Sequence, residues 1–403
     1  MHTPVTCRFT ENLTLASLIA PVSETEFREN FWEQKPLVVH RDDRGYYSDL
    51  FTLQHFDEAI ARNPAYIKIG NAAAQKNEFI PLSEISGLER VLAEMRDGGT
   101  LVLDRMHERD PRLKMLCQQL ASELGHGFQT NLYLTPPNGK GFSPHWDGHD
   151  VFILQVLGFK HWKVETERRA FPKKMEQMSE EGRAFQGNVR PFTLSQGDVA
   201  YIPRGYVHAA ECGAEPSLHI TLGVNAVFFE DFLHSAVQGA AKQNENLRAT
   251  LPFGFMNLPT DDLVARAKAA LEAISDGEFL KAVFDEFKDR NVRKFPLDVS
   301  GQVADFFRAE PLALDDVVGS PPGLVYTKHD EREAVRLNFG TRSITFPEFF
   351  GAALDFALRN RSFAIRDLPG DLEDVERVVF AERLIQEGLI VRKRTRHTKA
   401  VPR

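Results

Sequence analysis

The sequence predicts an α+β protein whose centre is an antiparallel β-sandwich or barrel, with a helical flank before it and more helices after it. Two observations carry this. Between Gln129 and Asn225, QTNLYLTP, DVFILQVLG, KHWKVE, GDVAYIP and SLHITLGV are short apolar or alternating runs broken by Gly and Pro, as strands of such a sheet are. On either side the apolar spacing turns helical, in LSEISGLERVLAEMRDGG and DPRLKMLCQQLASELG before the sheet and from FFEDFLHSAVQGAAKQ to about Phe287 after it. At 403 residues the chain exceeds one ordinary core, so several packed units are expected.

Taken in order, SETEFRENFWEQ opens with Ser23 and Glu26 at capping-box spacing, and PLVVH then reads as a strand. FPKKMEQMSEEGRAFQGN is polar and reads as an insertion loop between strands. In TFPEFFGAALDFALRN, the residues Phe346, Phe349, Phe350, Ala353 and Ala357 repeat at helical spacing, so one helix face is expected to be buried, with Thr345 and Glu348 as a capping-box pair around Pro347. LEDVERVVFAERLIQEG is a further helix ending at Gly388, and the apolar triplet Leu389, Ile390, Val391 follows, a helix-then-strand order like that of a winged-helix module. The expected division is 1–226, 227–290 and 291–403.

The 57 acidic and 49 basic residues give a net charge of −8, which argues against general nucleic-acid binding. Arg392, Lys393, Arg394, Arg396, Lys399 and Arg403 make a basic tail that reads as a solvated end. Three cysteines, Cys7, Cys117 and Cys212, suit a reducing, cytoplasmic setting rather than a disulfide framework. No stretch approaches the ~20 apolar residues of a membrane span, so no membrane partner is expected.

The chemistry is concentrated in PHWDGHDVFILQVLGFKHWKV. On a strand of period two, His145 and Asp147 share one side and can hold one ion together. GDVAYIPRGYVHAAE supplies a third donor: Gly197-Asp198 turns, Tyr201-Ile202-Pro203 ends a strand, and Arg204-Gly205 leads to His208. Two imidazoles and a carboxylate on one face of an octahedral ion leave open positions, the arrangement of non-haem Fe(II) oxygenases, whereas structural zinc favours four closed ligands. His149 has the same parity and is the rival ligand. His161 and His219 read as packing or hydrogen-bonding residues, Trp146 as a packing residue facing away from the ligands, and Cys212 as buried and inert. Lys160 opens a strand after Gly158, and a cation facing a barrel interior needs an anion.

These two motifs resemble the JmjC branch of the cupin oxygenases, and more closely the ribosomal oxygenases. FRENFWEQKPLVVHRDDRGYYSDLF, TNLYLTPP, the helical segment after the barrel and the winged-helix-like end agree with it in order. The resemblance implies a double-stranded β-helix, a helical dimerisation segment and hence a homodimer. It also implies Fe(II) on His145, Asp147 and His208, O2, and 2-oxoglutarate as cosubstrate with its distal carboxylate on Lys160, fifteen residues after His145. Asn131, Tyr133 and Thr221 are further expected contacts. The implied reaction decarboxylates 2-oxoglutarate to succinate and CO2 and hydroxylates a side chain of a protein or peptide, a ribosomal protein among the candidates. Two alternatives stand beside it: a tailoring hydroxylase of a ribosomally made peptide or small molecule, and a non-catalytic cupin scaffold joined to a nucleic-acid-binding winged helix.

Overall fold

The computed structural model describes residues 9, 13–62, 66–74, 76–83, 86–173, 176, 178, 179, 184–297, 307 and 311–393. Cys7, the basic residues Arg394, Arg396, Lys399 and Arg403, and part of the expected insertion loop lie outside them. The chain forms two compact units, Met1–Ala226 and Val227–Arg403.

In the first unit the N-terminal flank contains α1 (Leu15–Ile19), α2 (Glu24–Asn30), β1 (Leu37–Val39), α3 (Leu53–Ala61), β2 (Tyr66–Asn71), β3 (Lys76–Pro81), α4 (Gly87–Arg96), β4 (Thr100–Leu103) and α5 (Pro111–Leu124). The Ser23 side chain accepts the Glu26 N–H at the start of α2, so the Ser cap forms as the spacing predicts. Asp110 caps α5, Pro111 opens it, and left-handed Gly125 ends it.

Seven strands follow: β5 (Gly127–Thr135), β6 (Val151–Leu157), β7 (Phe159–Glu165), β8 (Val189–Ser195), β9 (Val199–Ile202), β10 (His208–Cys212) and β11 (Ser217–Asn225). They and the flank strands make an eight-stranded sheet, β1-β9-β6-β11-β5-β4-β2-β3, and a three-stranded sheet, β10-β7-β8, with every pairing antiparallel. Val151, Ile153 and Ala200 of the larger sheet pack with Trp162, Val164 and Leu194 of the smaller one. On the other face of β6 and β9, Phe152 and Tyr201 meet Phe27 of α2 at ring separations of 5.8 and 4.9 Å. Strand β6 is therefore buried on both faces, which is why DVFILQVLG is continuously apolar rather than alternating.

The second unit holds α6 (Phe229–Gln243), α7 (Glu245–Arg248), α8 (Thr260–Ile274) and α9 (Gly277–Val292). It continues with β12 (Val317–Gly319), β13 (Tyr326–Asp330), β14 (Ala334–Phe339), β15 (Arg342–Pro347), α10 (Gly351–Arg359), β16 (Phe363–Ala364), α11 (Asp374–Glu387) and β17 (Val391–Arg392). Phe232 of α6 packs edge-on against Phe284 and Phe287 of α9. The segments expected to separate at 227–290 and 291–403 group together here, and Asp289 shows how: from α9 it accepts hydrogen bonds from Thr327 and His329 on β13. Strands β13, β14 and β15 form a meander, and β16-β12-β17 a second small sheet closed by α10 and α11.

The TFPEFF segment differs from its periodicity. Phe346 and Thr345 belong to β15, where Thr345 pairs with Arg336, so the Thr345–Glu348 capping box does not form. Glu348 to Phe350 is a single 3-10 turn, and Phe349 is 54% exposed while Phe346, Ala353 and Ala357 are buried. Cross-strand hydrogen bonds there outweighed local helix capping.

Between β6 and β7 the chain turns at Gly158, whose φ is +64° and whose added Cβ would lie 2.1 Å from the Pro216 carbonyl oxygen. Gly158→Ala is expected to cost about 2 kcal/mol or more, read as a lowered midpoint in denaturant unfolding.

Candidate metal centre and anion pocket

The two ligand motifs meet through backbone first. His145 and His208 form an isolated antiparallel bridge, each N–H donating to the other's carbonyl at 3.1 and 2.8 Å. His145 and Asp147 thus lie on an irregular segment ahead of β6 rather than within a strand, a correction to the period-two expectation, because only this one bridge extends the HWD backbone. A third bond, from Gly205 N–H to the Asp147 carbonyl at 3.1 Å, ties the same two segments. Gly205 has φ +82° and its added Cβ would lie 1.8 Å from the Ala170 carbonyl oxygen, so the PRGY turn requires glycine.

Side chains complete the clamp. Asp150, just beyond the HWD segment, accepts from Arg204 N–H and its guanidinium and from the Tyr201 hydroxyl. Arg204 also pairs with Glu33 and lies over the Phe171 ring. This buried network fixes the start of β6 against the approach to His208. The sequence reading missed Asp150; its only signal was an acid next to an apolar strand.

His145, Asp147 and His208 form the one His/Cys/Asp/Glu group among the described residues that could hold a metal, each offering a ligand atom within 4.8 Å of the others. The Asp147 carboxylate oxygens lie 3.9 Å from His145 Nε2 and 3.6 Å from His208 Nε2. His145 Nδ1 donates to the Ser143 carbonyl at 2.8 Å and His208 Nδ1 to the Tyr206 carbonyl at 3.0 Å. Both protons therefore sit on Nδ1, and both Nε2 lone pairs are presented on the Asp147 side. Burial is the main force lowering His208 to about 4, with His145 adding to it, so the ring is neutral at pH 7 as a ligand must be. Burial pushes the Asp147 carboxyl up, but His145, His149, His208 and Lys68 outweigh it and hold it below its ordinary value. Two nitrogens and one oxygen, without a thiolate, suit a divalent first-row metal with positions left open. His149 is not in the group and packs its ring against Gly223 of β11.

Beside the three lies a cavity of about 70 Å³ lined by Tyr133, Lys160, Trp162, His219, Thr221 and Thr100 together with the triad itself. Lys160 on β7 is 2% exposed and donates to Thr135 Oγ1 at 2.9 Å, which in turn bonds Thr100 Oγ1 at 2.9 Å. An ammonium has three N–H donors, and no carboxylate pairs with this one among the described residues. Burial therefore drives Lys160 down to about 8, against an opposing influence from Cys212 opposite it in the β10–β7 ladder. Trp162 Nε1 and His219 Nδ1, both buried, have no hydrogen-bond partner among the described residues. A buried cation without a carboxylate partner is costly unless an anionic guest meets it, so Lys160 fits a carboxylate ligand.

Among the other expected contacts, Tyr133 and Thr221 line the cavity and Asn131 does not. Its Oδ1 accepts Arg105 N–H at 2.9 Å and its side chain bonds the Tyr133 hydroxyl, which places it behind the wall. Thr135, Trp162 and His219 were missed as site residues. Thr135 was legible in principle, as the period-two neighbour of Tyr133 on β5.

Residues 104–232 match the JmjC domain family. The chain is 30% identical over 263 residues to human ribosomal oxygenase 1, covering 60% of this chain and 39% of that protein. It is 29% identical over 256 residues to the Caenorhabditis briggsae bifunctional lysine-specific demethylase and histidyl-hydroxylase NO66, covering 60% of this chain and 33% of that protein. The chain thus spans only part of the length of these relatives. Two solved structures share its fold: Escherichia coli ycfD, at 16% identity and a TM-score of 0.59 over 92% of this chain and 98% of that one, and the same ribosomal oxygenase with cobalt and 2-oxoglutarate, at 17% identity and a TM-score of 0.56 over 93% and 99%.

Because Lys160 is held at about 8 in the folded chain against 10.5 ordinarily, the folded state binds its proton less firmly than the unfolded one. Its contribution to stability should therefore rise as pH increases from about 8 to about 10.5. An anion in the cavity reverses the preference. Succinate affinity should be highest below about pH 8 and fall by up to about tenfold per pH unit above it, a dependence that Lys160→Met abolishes in calorimetric titration.

Proposed function

On the premise that the chain carries a JmjC domain at residues 104–232 and is similar to ribosomal oxygenases, we propose that it is an Fe(II)- and 2-oxoglutarate-dependent oxygenase hydroxylating a side chain of a protein or peptide. The observation that carries the reading is the pairing of the His145, Asp147 and His208 face with the buried ammonium of Lys160, which has no carboxylate partner among the described residues, in one cavity. His145, Asp147 and His208 would hold Fe(II), and Lys160 would hold the distal carboxylate of 2-oxoglutarate.

When bound, iron, O2 and 2-oxoglutarate supply the oxidising chemistry, with succinate and CO2 as by-products. The chain's part is positional. Nδ1 bonds of both histidines to backbone carbonyls keep the Nε2 atoms aimed, and the Asp150–Arg204 network keeps the two segments in register. Phe142, Val151, Ile153 and Trp162 line the cavity with apolar surface that limits water at the reacting centre.

A ribosomal protein is the favoured substrate because relatives matching 60 to 64% of this chain are named ribosomal oxygenases. The name of the relative NO66 carries both a hydroxylase and a demethylase activity, and hydroxylation is the reaction proposed here. Mass spectrometry of a ribosomal-protein fraction separates the two: one added oxygen supports hydroxylation, and formaldehyde release would replace it with demethylation.

A homodimer completes the proposal. No described residue of α8 is buried, although Leu263, Val264, Ala267, Ala270, Leu271 and Ile274 give it apolar surface, and Phe229, Leu233 and Val237 of α6 are exposed too. An amphipathic helix without a covered face favours a second copy as its cover. The segment 291–403, with its helix, α11, followed by β17, is read as a winged-helix-like docking module.

Asp147→Ala should lower succinate release from 2-oxoglutarate by about a hundredfold or more while leaving the unfolding midpoint unchanged, and unaltered turnover would refute the site. Leu271→Glu combined with Val264→Glu should convert a dimer to a monomer in light scattering without loss of secondary structure; a wild-type chain that is monomeric at working concentration would refute the dimer.

A further inference from the structure

The face of the large sheet that carries Tyr133 does not end at the cavity. Directly opposed residues on neighbouring strands point to the same side of a sheet, and the register sets Phe79 of β3, Lys68 of β2, Val102 of β4, Tyr133 of β5 and His219 of β11 in one row. Tyr133 and His219 line the cavity, so the row leads from the cavity wall to β3, the edge strand. In the next row on this side, Phe142 of the cavity lies on Gly70 of β2, where an added Cβ would come within 2.3 Å of the phenylalanine ring.

The opposite face of β2 and β3 is fully covered. Ile67, Ile69 and Ile80 are buried there, and α4 lies against both strands. The cavity-side face is open: Tyr66 is 37% and Phe79 56% exposed, although their rings meet edge to face with centroids 5.1 Å apart. Half-buried Lys68 stands between rings, its Nζ 5.8 Å from the Phe79 centroid and 5.2 Å from that of Phe142. Its charge acts on half-buried Asp104, the residue after β4. Burial raises the Asp104 carboxyl above its ordinary value, while Lys68 and Arg109 oppose that rise. Asp104 in turn acts on the Tyr133 hydroxyl. Yet neither the Lys68 nor the Asp104 side chain makes a hydrogen bond or a close ion pair among the described residues.

We propose that this open face of β2 and β3 is the docking strip for the polypeptide substrate, with Lys68, Asp104, Tyr66 and Phe79 as its specificity-determining contacts. It rests on the oxygenase reading above and names where the segment flanking the oxidised residue lies. An ammonium donates and cannot accept, and a carboxylate accepts and cannot donate, so an occupant that satisfies both carries acceptors and donors side by side. A polypeptide main chain does so in its alternating C=O and N–H groups. A phosphodiester backbone offers acceptors and negative charge, which Lys68 attracts and Asp104 repels. The Tyr66–Phe79 pair adds an apolar platform for a substrate side chain. The unbroken row from Phe79 to Tyr133 brings a segment bound here to the wall of the cavity that holds the triad.

The test uses the full chain, with a tryptic digest of a ribosomal-protein fraction as the probe. Immobilised wild type loaded with Zn(II) and 2-oxoglutarate should retain a subset of these peptides, identified by mass spectrometry. Lys68→Met, and the double variant Tyr66→Ser with Phe79→Ser, should each lower that retention about tenfold, and Lys68→Arg should keep it. In Fe(II)-loaded protein the double variant should raise KM for a retained peptide more than it lowers kcat, without a matching rise in KM for 2-oxoglutarate. A merely structural role would instead lower the unfolding midpoint and move the constants for both reactants. If the double variant does not fold, Lys68→Met against Lys68→Arg decides. Retention by the variants within about twofold of wild type overturns the proposal, as does a wild type that retains no peptide. Retention of a short single-stranded RNA in place of peptides overturns it too. Peptides held through the strip that gain no oxygen with Fe(II) leave the docking strip standing and refute the hydroxylase reading instead.

Discussion

The two-bond bridge between His145 and His208 is the constraint on which the site depends. The HWD segment has no regular structure of its own, yet the pair of backbone hydrogen bonds to the first residue of β10 brings the two imidazoles to a ring separation of 4.7 Å. Asp147 then falls between the two Nε2 atoms because it is two residues from one and its carbonyl is bonded to the turn that leads to the other. Placing His145 and Asp147 on irregular backbone gives them freedom to point, and the Asp150–Arg204–Glu33 network removes that freedom again.

The interior of the barrel is divided by chemistry. Val151 and Ile153 line both the apolar core between the sheets and the neighbouring cavity, where Lys160 lies beside the triad without a carboxylate hydrogen-bonded to it among the described residues. Such an arrangement is unfavourable in the empty protein, which is visible in the lowered proton affinity of Lys160. The cost is offset when a guest of opposite charge binds, so the residues that select the ligand are also those that lower the stability of the free fold. Cys212 shares the ladder rung of Lys160 and stays buried, a neutral neighbour that leaves the ammonium available.

The second unit has its own balance. Its C-terminal half is well packed about Leu337, Phe339, Leu354 and Leu384, and stacked Phe350 and Phe380 join the turn before α10 to α11. Its helical half is sparse in burial, with α6 and α9 meeting through a few phenylalanines and α8 offering nothing to the interior. Charge pairs on α9 are solvent-facing and contribute little, so the apolar surface left open on α6 and α8 dominates the energetics of that region.

Much was legible in the sequence because it was local. Strand and helix identities, the Ser23 cap, the Gly125 and Gly388 stops and the residue types His145, Asp147, His208 and Lys160 follow from spacing, turn chemistry and ligand chemistry acting within a few residues. The sequence by itself thus determined the kind of chemistry the chain can support. Tertiary structure decided where that chemistry sits: that HWD is bridged rather than in a strand, that Phe346 joins a sheet rather than a helix, that Asn131 does not line the cavity, and that Trp162 and His219 do. The physical reason is that hydrogen-bond satisfaction and burial are set by partners far away in the chain, and a residue's own neighbours carry no record of which donors will be left without an acceptor.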